Sequence, residues 1–180
     1  DLYTNLDIDA QKSAAKFLGN RRGAVVAIDL DAGGINVLYS SPAYSINKLS
    51  NGMNEDEFQT LIDDPNKPFF NRALQGRYPP ASTIKPAIGM YGLSSNIVNW
   101  DFEMKDPGFF TLPETGRIFR GWRKGGHGEV NMHKAFLVSS NTYFFSLAYQ
   151  ANITELSNYL SNLGFGQKVC LDCFDEDHAF

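Results

Sequence analysis

The chain contains one clear hairpin and little other strand-forming sequence, and this limits what it can fold into. Gly23-Ala-Val-Val-Ala-Ile-Asp29 is a β-rich run, Asp31-Ala-Gly-Gly34 supplies turn residues that tolerate positive φ, and Ile35 to Tyr39 returns as a second strand. Two strands alone are marginally stable in water, so the pair needs more sheet or a helix over its apolar face. Ahead of it, Ala10 to Leu18 reads as a short helix with Asp9 as its N-cap and Gly19 as its stop.

From Ser40 to Pro80 the pattern is loop-rich, punctuated by Pro42, Gly52, Pro65, Pro68, Gly76, Pro79 and Pro80, with one short helix from Glu55 to Ile62 capped by Asn54. Beyond Pro80 the texture becomes helical. Ser82 to Leu93, Val130 to Val138, Thr142 to Gln150 and Thr154 to Leu163 carry spaced apolar residues, with Gly164 as a C-terminal cap. Trp100 to Gly128 is a long aromatic, Gly-rich connection, and loops of that length are functional or hold small elements of their own. The order of helix, two strands, loop and helical block predicts an α+β domain whose remaining strands lie outside this chain.

With 43% hydrophobic and 20% charged residues among 180, the chain can bury a core. A net charge of -4 and the absence of long Lys/Arg runs exclude a nucleic-acid footprint. No apolar stretch approaches the roughly 20 residues that span a bilayer, so any membrane anchor or export signal is expected elsewhere than in this sequence. The cysteines, Cys170 and Cys173, form a C-x-x-C that reads as two incidental thiols ahead of a disulfide or half a metal site.

Chemistry concentrates in Tyr78-Pro-Pro-Ala-Ser-Thr-Ile-Lys-Pro86. A serine hydroxyl needs a base beside it to attack a carbonyl, and a lysine one helical turn on can serve if burial or a neighbouring cation lowers its pKa. Helix-terminal N–H groups beside Ser82 would help to stabilise an anionic intermediate. Pro86 suits an early helical turn, where a missing N–H costs least. The pattern alone is cheap, since Ser45-Ile-Asn-Lys48 also satisfies S-x-x-K, but Ser45 reads as a loop residue with no helix behind it. By spacing alone, Ser82 reads as a helix cap and Lys85 as a solvated first-turn residue. A second motif, Ser139-Ser140-Asn141, interrupts two helical stretches where a hydroxyl could relay a proton and an amide could hold a substrate carbonyl. Ser45-Ile-Asn47 and Ser94-Ser-Asn96 match S-x-N too, and a polar helix junction satisfying local backbone groups is the plainer reading.

Taken in order, the two motifs resemble the S-x-x-K and S-x-N signature of penicillin-binding proteins and serine β-lactamases. Ser41-Pro-Ala-Tyr44, Asn71-Arg-Ala73, the Ser82 segment, Asp106-Pro-Gly108, Gly126-His-Gly128 and Gly164-Phe-Gly166 are similar to the landmarks of the penicillin-binding protein 2 family, the class B elongation transpeptidases of rod-shaped Gram-negative bacteria. The resemblance spans nearly the whole chain. It implies a β-lactamase/transpeptidase-like fold, an antiparallel sheet packed against helices with a mostly helical subdomain, of which residues 1–180 form the N-terminal portion of one transpeptidase domain. It implies that Ser82 attacks the D-Ala-D-Ala carbonyl of a peptidoglycan stem peptide, or a β-lactam, while Lys85 takes the proton. Ser139 would shuttle that proton to the leaving group, and Asn141 would position the substrate amide. No cofactor is implied. The implied partners are stem peptides, β-lactams, a membrane glycosyltransferase and elongation-complex proteins, at the periplasmic face of the inner membrane.

Three departures qualify this. The family's K-T-G or K-S-G strand has no counterpart: Glu114-Thr-Gly116 lacks the lysine, and Lys124-Gly-Gly126 precedes the second motif. The isolated chain is therefore expected to be an incompetent transpeptidase. The resemblance also implies relatives with an Asp in the D-P-G turn, an Asp before a Trp, the His of G-H-G and a Cys in the second motif, a set that could bind zinc. Here Asp106 and His127 remain but Gly121 and Ser140 stand at the other two positions, and two ligands do not make a structural zinc site. His127 then reads as a turn residue bonded to backbone. Finally, Lys168-Val-Cys-Leu-Asp172 departs from the expected Thr-Gly turn. A class D β-lactamase, or a penicillin-sensing or scaffolding domain, are the alternatives that the same motifs admit.

Overall fold

The computed structural model describes residues 3–168, which fall into two compact units with the break between Arg77 and Tyr78. Cys170, Cys173 and, from Val169 on, the C-terminal departure lie outside the described residues.

In the first unit, helix α1 (Ile8–Leu18) is capped not by Asp9 but by Asp7, whose carboxylate accepts from the N–H groups of Asp9 and Ala10, both at 2.9 Å. Asp7 has the extended backbone that a cap requires, whereas Asp9 lies inside the first turn, where its charge complements the helix dipole. Strands β1 (Gly23–Ile28) and β2 (Ile35–Ser41) pair antiparallel with Val26 opposite Leu38, and the register shifts at Ala27/Ile28. The cover that this hairpin needs comes from α1, in an unusual form. Gln11 donates from Nε2 to the Leu38 carbonyl at 2.8 Å and accepts the Leu38 N–H on Oε1 at 3.0 Å, while the Asp7 N–H bonds the Asn36 carbonyl at 2.9 Å. A side-chain amide thus takes the place of a neighbouring strand on the outer edge of β2.

Ser45 corrects the expectation of a plain loop. It is the N-cap of helix α2 (Ile46–Ser50), its Oγ accepting from Lys48 N at 3.2 Å, while the Lys48 ammonium lies 3.4 Å from Glu57 Oε1. Both members of this competing S-x-x-K pair are therefore engaged structurally. Helix α3 (Glu55–Asp63) is capped by Asn54 as its sequence predicts. The loop after it wraps the buried Arg72, whose guanidinium donates to the carbonyls of Asn66, Lys67 and Phe70.

In the second unit, the expected helix from Ser82 opens as a 3-10 turn (Ala81–Ile84) that passes into helix α4 (Lys85–Ser94), with Pro86 in its first turn. The long connection holds two small ladders. Strand β3 (Met104–Asp106) pairs with β6 (Gly128–Val130), and β4 (Phe109–Thr111) with β5 (Ile118–Arg120). Val130 therefore ends a strand, Asn131 caps helix α5 (Met132–Leu137), and Ser140 caps α6 (Asn141–Gln150), which α7 (Ile153–Asn162) follows. Val98, Val130, Met132, Ala135, Tyr143, Phe144 and Leu147 form the core. Gly92 lets α4 approach it, since a Cβ there would lie 2.6 Å from Leu147 Cδ1. Helices with small antiparallel sheets make the fold α+β, as the sequence predicts.

Candidate active site

The residues that the two motifs single out meet in the second unit. In a 3-10 turn, side chains three apart eclipse, so Ser82 and Lys85 project on the same side. Ser82 is exposed while Lys85 is buried at 7% relative exposure, which places the hydroxyl at the surface and the amine beneath it. Burial lowers the Lys85 pKa from its ordinary value.

The ammonium of Lys85 donates to the Ser139 carbonyl at 2.8 Å, to Ser139 Oγ at 3.1 Å and to Asn141 Oδ1 at 2.7 Å. Its charge also lies 5.4 Å from the centre of the Phe144 ring. Ser139 Oγ in turn donates to Ser82 Oγ at 2.9 Å. The hydrogen-bonded contact between Lys85 and Ser82 therefore runs through Ser139, where the sequence expectation has Lys85 take the proton of Ser82 with no intermediary. An ammonium carries three hydrogens, and the three acceptors around it are all supplied by the second motif.

Ser139 reaches this position because its backbone is left-handed, at φ 51°, a conformation that costs a non-glycine residue energy and persists where neighbours over-determine it. Ala81, immediately before Ser82, has φ 49°. Between Ser139 and Asn141, Ser140 turns inward. It is fully buried, accepts the Tyr143 N–H at 3.2 Å as the α6 cap, and donates to Asp106 Oδ2 at 2.7 Å. Burial alone would raise the Asp106 pKa, but hydrogen bonds from Ser140 and Gly108 N, together with the nearby His127, outweigh it and hold the carboxyl below the ordinary carboxylate value. From the same long loop, Trp122 Nε1 donates to the Val138 carbonyl at 3.1 Å.

The four predicted residues Ser82, Lys85, Ser139 and Asn141 are thus joined in one hydrogen-bonded set. What the motifs do not disclose is the support beneath: Asp106, Trp122 and the Ser139 carbonyl. The Asp-Pro-Gly turn signal marks the position of Asp106 without its partner. His127 is a turn residue whose N–H bonds the Asp106 carbonyl at 3.2 Å and whose ring packs 5.2 Å from Trp122. A zinc ion does not fit this set, because Asp106 Oδ2 is engaged by Ser140, Gly121 offers no donor side chain, and among the described residues no group of three or more His, Cys, Asp or Glu could hold a metal.

The profile described as the penicillin binding protein transpeptidase domain matches residues 23–179. The peptidoglycan D,D-transpeptidase MrdA of Acinetobacter baumannii is 46% identical over 99% of this chain, which spans only 27% of that relative. A crystal structure of Pseudomonas aeruginosa PBP2 in complex with WCK 5153 superposes with a TM-score of 0.91 at 38% identity, over 96% of this chain and 38% of the other. A complex between PBP2 and MreC from Helicobacter pylori gives 0.84 at 34% identity, over 91% of this chain and 30% of that one.

Proposed function

Given that the chain belongs to the penicillin-binding protein transpeptidase family, we propose that it forms the front of the catalytic domain of a peptidoglycan D,D-transpeptidase of wall elongation, with Ser82 as nucleophile. The observation that supports this reading is the path Ser82 Oγ, Ser139 Oγ, Lys85 Nζ, in links of 2.9 and 3.1 Å.

The chemistry follows from reversing the hydroxyl rotors, which turn freely to suit their partners. Once Lys85 is a neutral amine, Ser139 donates its hydrogen to Nζ and Ser82 donates to Ser139, so one proton leaves Ser82 as another arrives at the lysine. The Ser82 oxygen bonds to the penultimate D-Ala carbonyl carbon of a stem peptide. The C–N bond to the terminal D-Ala breaks, and the departing amine takes the proton back from Lys85 through Ser139. An ester on Ser82 remains. An amine of a second stem peptide bonds to the ester carbon, the C–O bond to Ser82 breaks, and the proton lost by the amine returns to the Ser82 oxygen, leaving the cross-link. With Asn141 Oδ1 occupied by Lys85, its NH2 group is the part that can donate to a substrate carbonyl. In a β-lactam the broken C–N bond lies in the ring, so the amine stays tethered.

Under this reading the whole protein works at the periplasmic face of the inner membrane, held by an anchor outside this sequence and in company with a membrane glycosyltransferase and elongation proteins, as the MreC complex of the Helicobacter pylori relative illustrates. Among the described residues no helix is long and apolar enough to cross a membrane. The test is mass spectrometry of the full-length gene product after exposure to a labelled penicillin. The expected result is one covalent adduct on the peptide carrying Ser82, absent in Ser82→Ala; an adduct on any other residue would sink the proposal.

A further inference from the structure

We propose that Asp106 is a positioning residue for acylation, acting through Ser140 to hold Ser139 and Asn141 against Lys85. The inference rests on the functional reading above and adds to it a residue that touches none of the reacting atoms.

Three consecutive residues divide the work. Ser139 and Asn141 both accept hydrogens from Lys85, and Ser140 between them points the opposite way into a site with no solvent exposure. As a helix cap, Ser140 needs only to accept the Tyr143 N–H, which it does. Its own hydrogen must also find an acceptor there, and a backbone carbonyl would meet that need more cheaply than a buried carboxylate. The fold instead brings Asp106, itself 2% exposed, to 2.7 Å. A hydrogen bond to an ionised acceptor is shorter and stronger than a neutral one, so it holds direction better.

Asp106 is in turn locked from several sides. Its Oδ1 accepts the Gly108 N–H at 2.7 Å, and its carbonyl accepts the His127 N–H. The loop around it has no slack: a Cβ on Gly126 would lie 2.0 Å from the Asp106 carbonyl oxygen, and one on Gly108 would lie 2.7 Å from that of Arg123. The same loop holds the residue before Ser139 through Trp122 and the Val138 carbonyl. The left-handed Ser139 therefore sits between two fixed points, Val138 and Ser140. Release of the second lets its backbone relax and carries its hydroxyl off the line between Ser82 and Lys85.

The test uses the full-length gene product carrying Asp106→Asn, Ser140→Ala, or both. Stopped-flow acylation by a fluorescent penicillin separates the acylation rate constant from the dissociation constant of the preceding complex, and thermal unfolding is followed in parallel. Each single variant is expected to lower the acylation rate constant about 10- to 100-fold, the scale on which a displacement of about 1 Å acts, at unchanged dissociation constant. The double variant is expected to fall no further than the worse single one, because both cut the same link. Wild-type acylation rates with only a lowered unfolding temperature would overturn the proposal. So would a loss confined to the dissociation constant, or losses that multiply in the double variant. Should Asp106→Asn fail to fold, Ser140→Ala, which removes one oxygen atom, decides the matter. No adduct on the wild-type protein would instead sink the catalytic reading, and this inference with it.

Discussion

Ser139 is the residue on which the site turns, because the recorded path between Lys85 and Ser82 has no other member. On the proposed mechanism, removing it should then cost as much as removing Lys85, the proposed base. Ser139→Ala and Lys85→Met are each expected to lower the acylation rate constant by about 100- to 10,000-fold, the range of a general base, with the pair together little worse, as single-turnover kinetics would measure. Asp106 makes a different prediction. Its folded-state pKa lies below the ordinary value of 3.8, so the stability it contributes is complete above that value and is lost as pH falls through the folded pKa. The difference in unfolding free energy between wild type and Asp106→Asn should stay level from neutral pH down to the usual carboxylate range and shrink only below it; a difference that shrank near neutral pH would contradict this. Ser82, Lys85, Ser139 and Asn141 were legible because each motif is local. The Asp106–Ser140 bond was not, since it joins residues 34 apart and only tertiary packing brings them together.

Helices with a long apolar period showed themselves in the sequence to within a few residues, and the hairpin did so through its Gly-Gly turn. The four strands between Trp100 and Val130 did not, because three residues are too few to establish an alternation. What marked them was glycine. Gly126 has φ 71° as well as its contact with the Asp106 carbonyl, so Gly126→Ala combines backbone strain of about 1–3 kcal/mol with a clash that no side chain can relieve. It is expected to lower stability by at least about 3 kcal/mol in denaturant titration and to slow acylation with it. On α4 the usual rule should reverse. Alanine for glycine inside a helix normally gains about 1 kcal/mol in propensity, but at Gly92 the added methyl meets Leu147 in the core, where overpacking costs about 1–3 kcal/mol. Gly92→Ala should therefore lower the melting temperature, whereas a rise would show that the core can yield.

For the molecule as a whole, Ser82, Ser139 and Lys85, the proposed nucleophile and relay, lie in one unit, while the sequence carries no Lys-Thr-Gly after Asn141. The 180-residue chain by itself is expected to acylate about 100- to 1000-fold more slowly than the full-length gene product, the effect of a lost oxyanion donor, in a side-by-side penicillin-labelling time course. Equal rates would place the whole of the acylation machinery between Asp1 and Phe180. The amide of Gln11 carries a last consequence. With the Leu38 N–H and carbonyl both taken by it, and the Asn36 carbonyl taken by Asp7, the outer flank of the hairpin has been closed to newcomers. The ladder can grow in one direction only, so any added strand must dock along Gly23–Ile28, where Val26 and Ile28 still face water.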